Sequence, residues 1–262
     1  MNYFERLAAR SREVNSVVCV GLDPDFRRHK VQDVAAYNRA IIEATAPYVN
    51  CYKPNIAFYE QYGIAGLHAL EATLAAIPDG IPVIGDVKRG DIASTAAAYA
   101  RAMFEEWGFD AITLNPYLGR ESFEPYLEYE GKGFYMVCRT SNPGAADLQY
   151  VKGDGLYLYE RVAQVVTSWS PNIGLVVGAT APAELRRVRE LVPAASLLVP
   201  GVGAQGGQPS EVMQAAGTEP GSIVVSATRS IMYASDGPDF AEASARAARA
   251  LRDQLTVAPS TA

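Results

Sequence analysis

Short runs rich in Val, Ile, Leu and Ala recur along the 262-residue chain, separated by alanine-rich stretches whose apolar positions repeat about every 3.6 residues. The runs fall at 16–23, 49–53, 81–88, 111–115, 133–139, 173–178, 196–201 and 222–228. They are nearly continuous in hydrophobicity, the pattern of strands covered on both faces. The segments at 31–47, 55–76, 92–107, 120–130, 155–169, 182–192, 209–217 and 238–254 read as amphipathic helices. Eight such β/α units predict an α/β fold, a closed (β/α)8 TIM barrel. An open doubly wound sheet alternates in the same way but seldom reaches eight regular units. No composition shift or linker divides the chain, so one domain over 1–262 is expected. A short amphipathic helix at about 2–12 should precede the barrel, and a disordered tail at about 257–262 should follow it.

In such a barrel the working residues sit at the C-terminal ends of strands and in the loops that follow. Reading those ends in order gives Asp23, Lys53, Asp86 with Lys88, Asn115, Ser141, residues 201–205 and Arg229. Polar groups thus gather at one rim while the strand bodies stay apolar. The densest chemistry lies in Ile84-Gly-Asp-Val-Lys-Arg-Gly-Asp-Ile92, where an acid, a base and a second acid share six residues. Two residues apart on a strand, Asp86 and Lys88 face the same side, and Asp91 falls where the next helix begins. Such an array holds a lysine protonated and aims it at one point. The plainer alternative is an ion pair with Asp91 as a helix cap.

Other rim residues carry two readings each. Pro54 keeps Lys53 extended and so aims its side chain, although a snorkelling lysine is the ordinary alternative. Asp23, in Val20-Gly-Leu-Asp-Pro-Asp25, is fit to accept from a sugar hydroxyl, and Asp before Pro is also a common turn residue. Ser141 opens a long loop, 141–155, able to close over a ligand, or is simply a turn serine. Gly201, Gly203 and Gly206 spell a formal G-x-G-x-x-G. A dinucleotide fingerprint should open the first β/α unit with an acid about 20 residues later, whereas this loop follows the seventh strand. A phosphate site after strands 7 and 8 fits better, with Gly203, Gln205 and Arg229 as contacts; the plainer alternatives are an exposed loop side chain for Gln205 and a surface salt bridge for Arg229.

Composition narrows the partners. A formal net charge of −6 argues against nucleic acid or an anionic membrane. The one basic run, Arg186, Arg187 and Arg189, reads as a solvated helix face. Cys19, Cys51 and Cys138 are odd in number and lie in apolar runs, as expected of reduced core residues in a cytoplasmic protein rather than of a disulfide framework or metal site. The two histidines, His29 and His68, have no metal-ligand spacing and no nucleophile motif. No apolar run approaches the roughly 20 residues needed to span a bilayer, and the N-terminus is too charged for a signal peptide. Neither a metal nor an organic cofactor is called for.

With these residues in view, the chain resembles the orotidine 5′-phosphate decarboxylases, in particular the bacterial type 2 subfamily, from about Gly21 to Tyr233. The signature D-x-K-x-x-D-[IV]-x-x-T appears as Asp86-Val-Lys-Arg-Gly-Asp-Ile-Ala-Ser-Thr95. Pro200-Gly-Val-Gly-Ala-Gln-Gly and Arg229-Ser-Ile look like the family's phosphate-binding segments. The resemblance implies decarboxylation of orotidine 5′-monophosphate (OMP) to UMP without a cofactor. It implies a charge network of Lys53, Asp86, Lys88 and Asp91, with Lys88 as proton donor. Asp23 would hold a ribose hydroxyl, Ser141 the pyrimidine, and Gln205 with Arg229 the phosphate. Asp91 and Thr95 would reach the neighbouring site of a homodimer. Thr228 stands where many relatives carry glycine, which puts a backbone contact to phosphate in doubt. A Mg²⁺-dependent sugar-phosphate decarboxylase or isomerase of the same suprafamily, and a non-catalytic phosphate-binding barrel, are the alternatives.

Overall fold

The computed structural model describes residues 1–25, 33–203, 206–217 and 219–255. Eight parallel strands form its centre: β1 Val18–Gly21, β2 Cys51–Lys53, β3 Ile84–Arg89, β4 Ala111–Leu114, β5 Gly133–Arg139, β6 Ile173–Val177, β7 Leu197–Pro200 and β8 Ile223–Ala227. Their order in the sheet is β2-β1-β8-β7-β6-β5-β4-β3. The two ends of that order meet. Tyr52 bridges Val83 and Asn55 bridges Asp86, and the Asp86 N–H donates to the Pro54 carbonyl at 3.0 Å. The sheet is therefore a closed barrel, as expected, with its seam between β2 and β3.

Strand periodicity sorts the interior into layers. Cys19, Cys51, Ile84, Ala111, Tyr135, Val176, Leu198 and Val224 form a buried apolar cluster inside the barrel. Two residues further along the same strands stand Gly21, Lys53, Asp86, Thr113, Gly178, Pro200 and Ser226. The alternate strand positions, Val18, Val20, Ile112, Leu175 and Val225 among them, pack outward in the larger core under the helices. Each such side chain contributes about 1.5–3 kcal/mol by leaving water.

The N-terminal helix runs Tyr3–Val14, two residues past its expected end, and opens on an Asn2/Glu5 capping box. It plugs the N-terminal mouth of the barrel. Tyr3 is fully buried and meets Tyr135 edge-on, with ring centroids 6.0 Å apart. Gly133 makes room for it, since a Cβ there would come 2.2 Å from the Tyr3 ring.

Several expected elements differ in detail. The helix expected over 55–76 divides into Ala57–Glu60 and Gly63–Ala75, because Gly63 takes a left-handed φ of 60°. The segment 120–130 forms only the short turns Arg120–Ser122 and Glu124–Leu127, the latter with a proline in its first turn. The segment 141–155 is not a structureless loop. It folds into the turns Pro143–Ala145 and Ala146–Gln149 and the first arm of a hairpin pairing Lys152–Gly153 with Leu156–Tyr157. The basic run is also not simply solvated. Arg189 donates to the carbonyls of Ala216 (2.6 Å), Ala195 (2.7 Å) and Ser222 (2.8 Å), tying three chain segments together, and Arg187 pairs with Glu160. The expected tail at 257–262 and His29 lie outside the described residues. Among the described residues no helix is long and apolar enough to cross a membrane.

Candidate active site

The barrel seam brings together two residues 33 positions apart. Lys53, at the end of β2, is 5% exposed and donates from Nζ to Asp86 Oδ2 at 2.9 Å. Lys88 Nζ lies 2.5 Å from Asp86 Oδ1, and its side chain is half exposed. Both oxygens of Asp86 are thus held by ammonium groups. Burial alone would raise the Asp86 carboxyl, but Lys53 and Lys88 outweigh it and hold it far below the usual range. Burial alone would likewise lower Lys53, yet Asp86 and Asp23 outweigh it and hold it above its ordinary value. All-charged at neutral pH, the pair avoids the several kcal/mol that one unpartnered buried ion costs.

Thr113 on β4 organises this corner. Its hydroxyl donates to Asp86 Oδ1 at 3.0 Å and accepts from the N–H groups of Val87 and Lys88, each at 3.0 Å. One donor and two lone pairs are thereby satisfied. Lys88 itself has a left-handed φ of 43°, at a register shift of β3 against β4. Such a backbone is costly for a side chain of this size and persists only where neighbours over-determine it.

Beside this array lies a cavity of about 610 Å³ at the C-terminal mouth of the barrel, lined by Asp23, Lys53 and Asp86 on one side and Gly201, Arg229 and Ser230 on the other. Asp23 Oδ1 accepts from the Asn55 N–H at 2.9 Å and Oδ2 from the Thr228 hydroxyl at 3.2 Å. Removal from water pushes the Asp23 carboxyl up, against the pull of Lys53 and these donors. Tyr233 clasps the same turn, donating to the Asp23 carbonyl at 2.8 Å and accepting from the Asp25 N–H at 2.9 Å.

Across the cavity, Gly201, Gly203 and Gly206 all have left-handed φ values of 97°, 78° and 96°, which is why this loop needs glycine. The Gly203 N–H donates to the Gly207 carbonyl at 3.0 Å, so it is used within the loop. Arg229 is exposed and begins the short helix Arg229–Met232. Ser141 stands over the end of β6, where a Cβ on Gly178 would come 2.8 Å from its own, and it does not line the cavity. Asp91 and Thr95 stand apart from the charge network. Among the described residues the Asp91 carboxylate accepts only from the neighbouring Ile92 N–H, at 2.8 Å, and Thr95 is exposed. Asp91 is not the helix cap either, because the helix Ala93–Arg101 is preceded by Ile92 with no side-chain cap. Gln205 lies outside the described residues.

Sequence reasoning passed over Thr113, Asn55 and Tyr233. A threonine in the otherwise apolar strand Ala-Ile-Thr-Leu114, two positions beyond an interior residue, was the available signal for the first. Nothing local marks the other two.

Comparison with known proteins agrees with the barrel fold. A model of the orotidine 5′-phosphate decarboxylase / HUMPS family matches residues 16–244. The chain belongs to that family. Relatives named orotidine 5′-phosphate decarboxylase include one from Thermomicrobium roseum, 47% identical over 97% of this chain and 95% of the relative. Another, from Herpetosiphon aurantiacus, is 48% identical over 95% of this chain and 96% of its own length. Among solved structures, Leishmania donovani OMP decarboxylase superposes with a TM-score of 0.84 at 35% identity, covering 98% of this chain and all of that one. Family membership and barrel closure therefore coincide in one chain, with the charged array at the mouth.

Proposed function

We propose that this protein decarboxylates OMP to UMP and CO2, the last step of UMP synthesis, with no metal or organic cofactor. The observation that carries this reading is the Lys53–Asp86–Lys88 array at the edge of a cavity of nucleotide size, in a chain of this family. When the C6–carboxylate bond breaks, its electron pair stays on C6, where no adjacent carbonyl delocalises it. The half-exposed Lys88 ammonium stabilises that pair and then delivers its proton to C6, leaving a neutral amine that is reprotonated from solvent. Lys53 and Thr113 hold Asp86, and Asp86 holds Lys88. The barrier to be removed is on the order of 20 kcal/mol, which a preorganised charge array supplies without reorganising at the moment of reaction.

Asp23 takes a ribose hydroxyl, Ser141 the pyrimidine, and Arg229 with Gln205 and the Gly203 loop the phosphate. Among the described residues lining the cavity, Arg229 is an exposed cation fit for that role. Asp91 and Thr95 complete the array of a second copy in a homodimer, a reading supported by the exposure of Thr95 and by an Asp91 carboxylate that, among the described residues, bonds only to the adjacent Ile92 N–H. Three buried free cysteines suit a reducing, cytoplasmic setting. The Mg²⁺-dependent reading fits less well, since ammonium groups already occupy both Asp86 oxygens.

Absorbance-monitored turnover of OMP tests the proposal. Turnover unchanged by EDTA is expected; no turnover, or turnover abolished by EDTA, overturns it. Mixing inactive Lys88→Ala and Asp91→Ala chains should restore about a quarter of parental activity, because half the dimers are hybrid and each has one intact site of two. Hybrids that form yet stay inactive would show that Asp91 acts within its own chain.

A further inference from the structure

Thr228 follows β8 and precedes Arg229, where it invites assignment to the phosphate loop. Its side chain turns elsewhere. It fills the space above Gly21 of β1, where a Cβ would fall 1.9 Å from Thr228 Oγ1 and 2.9 Å from its Cβ. From there the hydroxyl donates to Asp23 Oδ2 at 3.2 Å, while Asn55 holds Oδ1 from the other side. We infer that Thr228 is a positioning residue that sets the Asp23 carboxylate to receive a sugar hydroxyl of the nucleotide, an inference that rests on the proposed OMP reading. The Gly21–Thr228 pair is its structural basis: β1 gives up a side chain so that β8 can deliver a hydroxyl.

A carboxylate turns easily about its last torsion, which has broad, two-fold minima. Asp23 shares its cavity wall with the Lys53 ammonium, a stronger attractor than any neutral donor. With one donor on each oxygen, Asp23 is held away from a closer pairing with Lys53, and a second lone pair on each oxygen is left for the ligand. Removing the Thr228 hydroxyl releases one of these two restraints while leaving Arg229 and the glycine loop untouched.

The test is equilibrium binding of UMP, 2′-deoxy-UMP and 3′-deoxy-UMP to the parent, Thr228→Val and Thr228→Ser. Valine keeps the shape over Gly21 and serine keeps the hydroxyl. UMP should bind Thr228→Val about tenfold more weakly, the loss of a hydrogen bond to a charged group. Thr228→Ser should bind within about twofold of the parent, and the deoxy ligand lacking the hydroxyl that Asp23 holds should bind parent and Thr228→Val alike. Equal weakening of all three ligands, no weakening of UMP, or no rescue by serine overturns the inference alone. Failure of the parent to bind UMP overturns it together with the reading on which it rests.

Discussion

The two mouths of this barrel are built from the same strands and have opposite chemistry. At the N-terminal mouth Cys19, Cys51, Ile84 and Tyr135 form one apolar cluster with Tyr3 and Leu7 of the plugging helix. Two residues up the same strands stand Lys53 and Asp86, which line the cavity. The lower layer is stabilised by burial that no ligand can alter. The upper one is polar, strained at Lys88 and held by hydrogen bonds that leave lone pairs and protons for a ligand. Stability and chemistry are thus separated by one strand repeat, about 7 Å, and substitutions at the two ends should separate likewise.

The largest effect should come from Lys88→Ala, which removes both counter-charge and proton. Turnover of OMP should fall by about 10⁴-fold or more, while urea unfolding changes little because the side chain is half exposed. Activity within tenfold of the parent would refute the assigned role. At the opposite mouth, Tyr3→Ala should lower unfolding free energy by about 3–5 kcal/mol through the cavity it opens, with kcat changed less than threefold. A large loss of kcat in a protein that remains folded would show the two layers to be coupled.

Arg229→Ala should reduce kcat/KM for OMP by about 2–3 kcal/mol, the worth of a charge-assisted pair to phosphate. Orotidine, which lacks the phosphate, should be nearly indifferent to it; equal losses on both substrates would make Arg229 structural. The smallest shift is expected for Asp23→Asn. Burial raises the folded carboxyl, so its contribution to stability is present at low pH and is lost as pH rises through the folded value. Where Asp23 is ionised it opposes folding, so in that range Asp23→Asn should raise Tm by about 2 °C while weakening UMP. The Tm gain should shrink as pH falls through the folded value. A gain that grows in acid would reverse the sign assigned to this group.

The near-continuous apolar runs and the helical periodicity between them were enough to specify eight β/α units. The two-residue spacing of Asp86 and Lys88 on one strand was enough to mark an acid–base pair, whereas Asp91, expected to join them, stands apart in its own chain. Both are local signals, set by the two-residue repeat of strands and the 3.6-residue repeat of helices. What could not be read locally is what depends on register between distant segments. Lys53 meets Asp86 because the barrel closes between β2 and β3, placing Asn55 opposite Asp86. Thr113, Tyr233 and Thr228 acquire their roles in the same way, through partners 27, 210 and 205 positions away. Helix 55–76 breaks, and the segment after β5 folds back as a hairpin. Arg189 turns from a surface charge into a staple that donates to carbonyls from three chain segments. Sequence alone determined which side chains face inward, because that follows from torsion angles a few residues at a time. Tertiary structure decided which of them meet, because only closing the sheet sets the register of strands tens of residues apart.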